Sequence, residues 1–292
     1  MDYPLRPPRV GHIQFLNCLP LYHGLVKSHG LLDVELRKGT PTELNRMLLR
    51  GELDVSPISS VEYLRHHRDL MLLPDITVSS DGEVKSITLV SRVPLAELDG
   101  RALALTDTSA TSHVLTRIIL ERRYGVCPNY FVSPPDVDRM LQRADAALLI
   151  GDPALRALGL GAQGLYVHDL GQEWKEYTGQ TMVYAVWAVR RAFAARKPDM
   201  VREVYLNFQR SLSYSLSKVD EIALASARWE PFSAAELAAY FRGLRFEFGT
   251  RYQAGLLEFA RQAQGLGELQ EVPPLEFVSL GCAIEEGKPD GA

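Results

Sequence analysis

Small hydroxyl and amide side chains stand just behind the short apolar runs of this sequence, where a strand would hand the chain to a helix. Asn17 follows Val10–Phe15, and Ser59 and Ser60 follow Leu53–Ile58. Ser86 lies early in Val84–Ser91. Thr106, Thr108, Ser109, Thr111 and Ser112 crowd the seven positions after Ala102–Leu105, and Gly151 and Asp152 follow Ala146–Ile150. In open α/β sheets ligands bind outside the carboxyl ends of the strands. Helix N-terminal N–H groups beside Ser or Thr hydroxyls make a site for a carboxylate or phosphate. The chemistry these residues suit is capture of a small anion, and stabilisation of charge developing on it, without a formal cation. Plainer roles are also open. Ser59 and Asp152 fit as helix caps, Asn17 as a turn residue, and Ser86 alone would be unremarkable. Five hydroxyls in seven residues at one strand-to-helix junction favour binding over an ordinary polar loop.

Other chemistries lack their residues. Gly159-Leu160-Gly161-Ala162-Gln163-Gly164 has the spacing of a dinucleotide loop, but it follows a helical stretch and precedes a strand, the reverse of what that loop requires. It reads as a helix-ending loop. The sequence has no G-x-x-x-x-G-K-[ST], H-E-x-x-H or G-x-S-x-G run. The pair His66-His67 lies in a charged, surface-like stretch, and His113 opens a helix beside Ser112, where a structural role is the simpler reading. Cys18, Cys127 and Cys282 are far apart and lack a C-x-x-C spacing, so reduced thiols are expected rather than disulfides or a zinc cluster. No metal and no cofactor is expected.

The elements that position these residues alternate. Strands are expected over Val10–Phe15, Leu32–Arg37, Leu53–Ile58, Met71–Val78, Val84–Ser91, Ala102–Leu105, Tyr130–Val132, Ala146–Ile150, Leu165–His168 and Met182–Val189. Helices are expected over Leu19–Val26, from Thr40-Pro41-Thr42-Glu43 to about Arg50, and from Ser59-Ser60-Val61-Glu62 to about Arg65, the last two opened by capping boxes. Further helices cover Ala110–Tyr124 and Val137–Arg143, and another starts with Asp152 as cap and Pro153 as first residue. From Lys197 the pattern is helical almost to the end, with a capping box at Ser233-Ala234-Ala235-Glu236 and a break at Gly249. Such alternation argues for mostly parallel sheets covered by helices. It occurs twice, before about Ser91 and after about Gly100, with Arg92-Val93-Pro94 as the crossing linker. The expected organisation is a two-lobed α/β fold with a ligand cleft between lobes. Residues 1–92 plus 186–292 form lobe I, carrying the C-terminal helices, and residues 93–185 form lobe II.

Composition bounds the partners. The chain has 292 residues, is 46% hydrophobic and 23% charged, and carries a formal net charge of -4. That balance offers no basic footprint for nucleic acid or an anionic membrane. No apolar run approaches a bilayer span, no signal-peptide core follows the N-terminus, and Glu285-Glu286-Gly287-Lys288-Pro289-Asp290-Gly291-Ala292 reads as a solvated tail. A cytoplasmic protein with a small-molecule partner is expected.

Several runs carry more than their composition. Gly11-His12-Ile13-Gln14-Phe15-Leu16-Asn17-Cys18-Leu19-Pro20 resembles the opening of the chorismate dehydratase family of the futalosine route to menaquinone. Matches follow in order at Gly51 to Tyr63, Val84-Lys85-Ser86-Ile87, Leu105-Thr106 through Ser109-Ala110-Thr111-Ser112, Ala146 to Ala154, and Asp169-Leu170-Gly171 with Trp174, Thr178, Gly179 and Ala185-Val186-Trp187. The resemblance covers residues 8–190 strongly and the helical tail weakly. Where the family usually has Leu-Pro after Thr-Gly, this chain has Gln180-Thr181. The resemblance implies the type II periplasmic-binding-protein-like fold and a hydro-lyase that dehydrates chorismate to 3-[(1-carboxyvinyl)oxy]benzoate without a redox cofactor. It points to Asn17 and Ser86 as reaction-centre residues, with Ser59, Ser60, Thr106, Ser109, Thr111, Ser112, Gly151 and Asp152 as substrate-binding candidates.

That reaction suits neutral groups. The ring diene makes the hydrogen on carbon 3 a vinylogous acid, and expelling hydroxide from carbon 4 leaves an aromatic ring. An amide is a poor base, so Asn17 is expected to orient substrate or stabilise charge. The proton acceptor is expected to be the substrate's own enolpyruvyl carboxylate, with Asp152 as the protein alternative. Competing readings are a non-catalytic carboxylate-binding protein of the same fold, a ligand-sensing domain of a regulator, and the neighbouring enzyme of the same pathway.

Overall fold

Two five-stranded sheets account for all the strands of the computed structural model, which describes residues 6–27 and 33–280. The expected tail at Glu285–Ala292, Cys282 and the first residue of the expected strand Leu32–Arg37 lie outside the described residues. The chain opens with β1 (Arg9–Ile13), α1 (Leu19–Lys27), β2 (Glu35–Gly39), α2 (Pro41–Leu49), β3 (Val55–Ser59), α3 (Ser60–Arg65) and β4 (Leu70–Ser80). It continues through β5 (Ile87–Ser91), β6 (Ala102–Thr106), α4 (Thr111–Ile118), β7 (Asn129–Ser133), α5 (Val137–Leu141), β8 (Ala146–Ile150), α6 (Gly151–Ala157), β9 (Tyr166–Asp169) and α7 (Leu170–Thr178). Then come β10 (Met182–Arg190), α8 (Arg191–Arg196), α9 (Pro198–Leu216), α10 (Val219–Ser226), α11 (Ala234–Gly243) and α12 (Thr250–Gly265).

The first sheet has the order β2-β1-β3-β10-β4 and the second β7-β6-β8-β5-β9. They are mixed, not mostly parallel. β1 runs parallel to β2 and β3, but β10 is antiparallel to β3 and β4. In the second sheet β6 is parallel to β7 and β8, while β5 is antiparallel to β8 and β9. The antiparallel strands are the ones by which the chain enters each lobe from the other. This corrects the expected lobe boundaries. β5 belongs to the second sheet, so the outward crossing lies in residues 81–86 rather than at Arg92-Val93-Pro94, and the return lies before β10. The expected boundary at residue 92 fails because β5, buried at every position, satisfies its backbone on β8 and β9.

Local chemistry sets several of these elements. Thr40 accepts from Glu43 N while Glu43 Oε2 accepts from Thr40 N (2.8 Å), the expected capping box, and Pro41 occupies the first turn. Ser233 and Glu236 form the same box at α11. Gly24 lets α1 lie on α9, because a Cβ there would meet Ser211 O at 2.5 Å. α12 spans both lobes. Gly255 sits on Thr181 O, Phe259 meets Trp174 edge-on, and Glu268 just beyond it takes Arg65 from lobe I and Arg117 from lobe II. No helix among the described residues is long and apolar enough to cross a membrane.

His12 carries the first testable consequence. Its ring stacks on Tyr22 at 3.7 Å, and its Nδ1 is buried with no hydrogen-bond partner. Burial, with a smaller contribution from Lys38, pushes its pKa down from 6.5 to about 4. Between those values the unfolded chain binds a proton that the folded chain refuses, so stability is full above pH 6.5 and falls as the pH drops toward about 4. Denaturant unfolding at about pH 7.5 and about pH 4.5 should differ by on the order of 2 kcal/mol, and His12→Gln should flatten that dependence.

Candidate active site

Residues of both lobes close around a cavity of about 50 Å³. β1 gives way through Phe15 to a 3-10 turn, Leu16–Cys18, whose Cys18 N–H closes on Phe15 O at 3.1 Å. Asn17 sits on that turn and lines the cavity, and its Oδ1 is buried without a partner. The turn is clamped from lobe II at two points. Leu16 N–H donates to Asp152 Oδ1 at 3.1 Å. The Phe15 ring lies flat on Gly151, where a Cβ would meet ring carbons at 2.8–2.9 Å. Gly151 also has φ +62°, which a side chain would strain, and its N–H donates to Ser86 O at 2.8 Å. No other residue type fits there.

Three hydroxyls of the cavity, those of Ser59, Ser109 and Thr111, share one feature. Ser59, at the end of β3, accepts from Asn45 Nδ2 (2.9 Å), and its N–H donates to Asn45 Oδ1 (3.0 Å). Ser109 accepts from Ser112 Oγ (2.6 Å) and from Ser112 N (3.3 Å). Thr111 accepts from Val61 N–H (3.3 Å), across the lobes. Ser59, Ser109, Thr111 and Ser112 all line the cavity. In Ser59, Ser109 and Thr111 an internal donor already occupies the oxygen, so each hydroxyl proton is left to point at a ligand. No lining side chain is charged, and Ile13, Phe15, Val78, Ile87, Ile150, Tyr184 and Ala185 supply an apolar wall. Such a site suits a small molecule with an apolar body and acceptor groups, held by directed donors in a low-dielectric space.

Ser86 reaches the cavity through the crossing segment. Its neighbour Lys85 has φ +65°, a conformation that costs a non-glycine residue about 1–2 kcal/mol. The Asp169 carboxylate holds it there, accepting from Val84 N (3.0 Å), Lys85 N (2.5 Å), Gly171 N (2.9 Å) and Gln172 N (3.0 Å). Burial raises the Asp169 pKa, and those donors oppose the rise. Tyr184 Oη bonds to Ser80 Oγ (2.8 Å), and Ser80 donates to Gly82 O (2.7 Å), fixing the other end of the crossing.

The remaining candidates lie elsewhere. Ser60 donates to Val183 O (2.8 Å) and is fully buried, facing away from the cavity. Thr106 pairs with Thr108 (2.8 Å), and its carbonyl meets His113 Nε2 (2.6 Å), so Thr106 and His113 stabilise the loop from behind. Asp152 does not line the cavity, and it does not cap α6: the helix begins at Gly151, and the carboxylate turns to Leu16 N instead. Ser59 likewise makes no side-chain cap on α3, because Asn45 takes it, and Glu62 pairs with Arg65 (2.7 Å). Phe15, Tyr184, Asn45 and Asp169 complete the site without having been singled out as site residues. Phe15 and Asp169 sit inside runs already notable for their order, whereas Asn45 gives no sequence signal, since it reads as an ordinary polar position in α2. The Gly159–Gly164 run is a 3-10 turn and loop, and none of its residues lines the cavity. Among the described residues, no group of three or more His, Cys, Asp or Glu side chains is placed to hold a metal ion.

Comparison with known proteins gives the family and the fold. The family model described as "Menaquinone biosynthesis" matches residues 8–265. A Thermus thermophilus protein named chorismate dehydratase is 32% identical over 276 residues, covering 90% of this chain and 97% of that one. In structure, an Archaeoglobus fulgidus protein superposes with TM-score 0.73 at 18% identity, over 91% of this chain and 99% of that one. A Candida albicans protein described as having the generic periplasmic binding protein fold gives 0.67 at 12% identity, over 96% and 100%. These likenesses bear out the two-lobed periplasmic-binding-protein-like fold. The chain belongs to the menaquinone-biosynthesis family, whose model spans both lobes and every residue that lines the cavity.

Proposed function

We propose that this chain is a chorismate dehydratase, a hydro-lyase that converts chorismate to 3-[(1-carboxyvinyl)oxy]benzoate and water. The observation that carries the reading is the set of cavity hydroxyls whose oxygens are already occupied from within, beside an apolar wall and without a single charged lining group. Chorismate brings two carboxylates and a flat diene. Ser59, Ser109 and Thr111 supply donors to the carboxylates, and the wall faces the ring. As carbon 3 loses its proton, charge moves into the ring carboxylate, where preorganised donors gain strength over the resting state. Asn17 and Ser86 face the reacting carbons. A 50 Å³ cavity holds roughly one or two waters, so substrate is admitted by parting the lobes at residues 81–86 and 178–181. Free thiols at Cys18 and Cys127 suit a reducing compartment, and we place the enzyme in the cytoplasm.

The proton acceptor in this reading is the substrate's enolpyruvyl carboxylate. Asp152 is the competitor, since burial raises its pKa. But its Oδ1 is committed to Leu16 N–H, a duty an amide oxygen can also perform. Asp152→Asn should therefore keep kcat within about 5-fold of the parent, while Asp152→Ala, which frees the Asn17 turn, should lose about 30-fold. Abolished turnover in Asp152→Asn with product still bound would assign the proton to Asp152.

The deciding experiment mixes purified protein with chorismate and follows the loss of diene absorbance, with the product identified by mass and NMR. Folded protein that leaves chorismate unchanged would sink the dehydratase reading. Tight binding without turnover would favour the carboxylate-binding alternative.

A further inference from the structure

Tyr240 has no part in the site described so far, yet its hydroxyl sits at the back of it. The residue lies on α11 and is 3% exposed, and its Oη is buried with no hydrogen-bond partner. That oxygen faces Ser86, with Asp152 and Cys18 close by. Tyr240 thus lines an outer groove, with Lys85, Leu155 and Phe232, and Ser86 lines the cavity.

A bare buried phenol is costly, and phenylalanine would fill the same space without the cost. Ser86 in turn is poorly anchored, since its Oγ reaches only Val84 O at 3.4 Å. We propose that Tyr240 is a positioning residue for the dehydration: its O–H donates to Ser86 Oγ, which turns the Ser86 proton toward the hydroxyl leaving carbon 4. A hydroxyl that accepts a hydrogen bond is the better donor. The C4–O bond breaks with its electron pair on oxygen, and the proton taken from carbon 3 ends on that oxygen. Water leaves, and neither Ser86 nor Tyr240 changes its protonation state. Burial holds the Tyr240 phenol in its protonated form far above physiological pH, as a fixed donor must be.

The inference rests on the dehydratase reading, and the test separates the two. Steady-state kinetics on chorismate and thermal unfolding are measured for the parent, Tyr240→Phe, Ser86→Ala and the double variant. In Tyr240→Phe, kcat should fall about 10- to 50-fold with KM within about 2-fold, and Tm should hold or rise. In the Ser86→Ala background the same change should cost nothing further, because the pair acts as a unit. A Tyr240→Phe enzyme with the parent's kcat, a drop in Tm, or a full additional loss on top of Ser86→Ala would each overturn the role of Tyr240 while leaving the dehydratase reading intact. A parent enzyme without turnover would overturn both.

Discussion

Asn17→Ala is expected to unfold at the same temperature as the parent, or slightly above it, while kcat on chorismate falls about 100- to 1000-fold. Both halves follow from one observation. Asn17 Oδ1 is buried without a partner, on a turn held by Cys18 N–H to Phe15 O and by Leu16 N–H to Asp152. Truncating the side chain removes none of those bonds and relieves an unsatisfied polar atom. What it does remove is a polar group that lobe I supplies to the cavity wall. A side chain kept at a cost in stability, in the wall of a cavity, is best explained by what the cavity binds. Asn17→Asp should be as damaging with a different signature: a carboxylate facing a dianion raises KM, whereas alanine acts mainly on kcat. The measurement is kcat and KM at saturating chorismate beside thermal unfolding. A large loss of Tm in Asn17→Ala, or turnover within about 3-fold of the parent, would remove Asn17 from the reaction centre.

Local order was readable in the sequence wherever local order decides the structure. The capping boxes at Thr40 and Ser233 are both present, because their partners lie three residues away. The strand Ala146–Ile150 has the bounds its apolar run suggests. The box read at Ser59 fails for a non-local reason: Asn45, from the preceding helix, takes both its hydroxyl and its N–H. Asp152 reads as a cap and instead reaches a backbone N–H 136 positions away. The chain leaves the first sheet between β4 and β5, not at the Arg92-Val93-Pro94 linker that the alternation suggests. The chain turns out of that sheet at Lys85, through a left-handed residue that its type does not advertise.

The site was legible in its chemistry and less so in its membership. Of the strand-end residues singled out, Asn17, Ser59, Ser86, Ser109, Thr111, Ser112 and Gly151 meet at one cavity. Ser60 and Thr106 do not, and neighbours explain why. Ser59 ends β3 at the cavity, whereas Ser60 opens α3, and its hydroxyl turns to the buried Val183 O. Thr106 is still paired within β6, ahead of the loop that carries Ser109 to the cavity. Tyr240 gave no signal at all. It lies in the helical tail, at a spacing that reads as core, and only the tertiary fold brings its oxygen near Ser86.

That crossing segment carries the second large effect. Asp169→Ala should lower kcat about 100-fold and lower stability by about 2 kcal/mol, and Lys85→Gly in the same chain should restore part of the rate, about 5-fold, without restoring the stability. The stability loss is that of an N-cap: Gly171 and Gln172 lose the acceptor that opens α7. The rate loss has a separate route. Val84 and Lys85 donate to the same carboxylate, and that grip holds Lys85 at φ +65°. Released, Lys85 relaxes toward negative φ and swings Ser86, one residue on, away from the cavity. Glycine at position 85 keeps the left-handed conformation accessible, so it returns Ser86 to its place while leaving α7 uncapped. A cap that served only folding would give a different pattern, with kcat following the folded fraction and Lys85→Gly indifferent or harmful. Kinetics below the unfolding transition, beside denaturant unfolding of the two single variants and the double, separate these outcomes. Equal rates in Asp169→Ala and the parent would show that Ser86 needs no such grip.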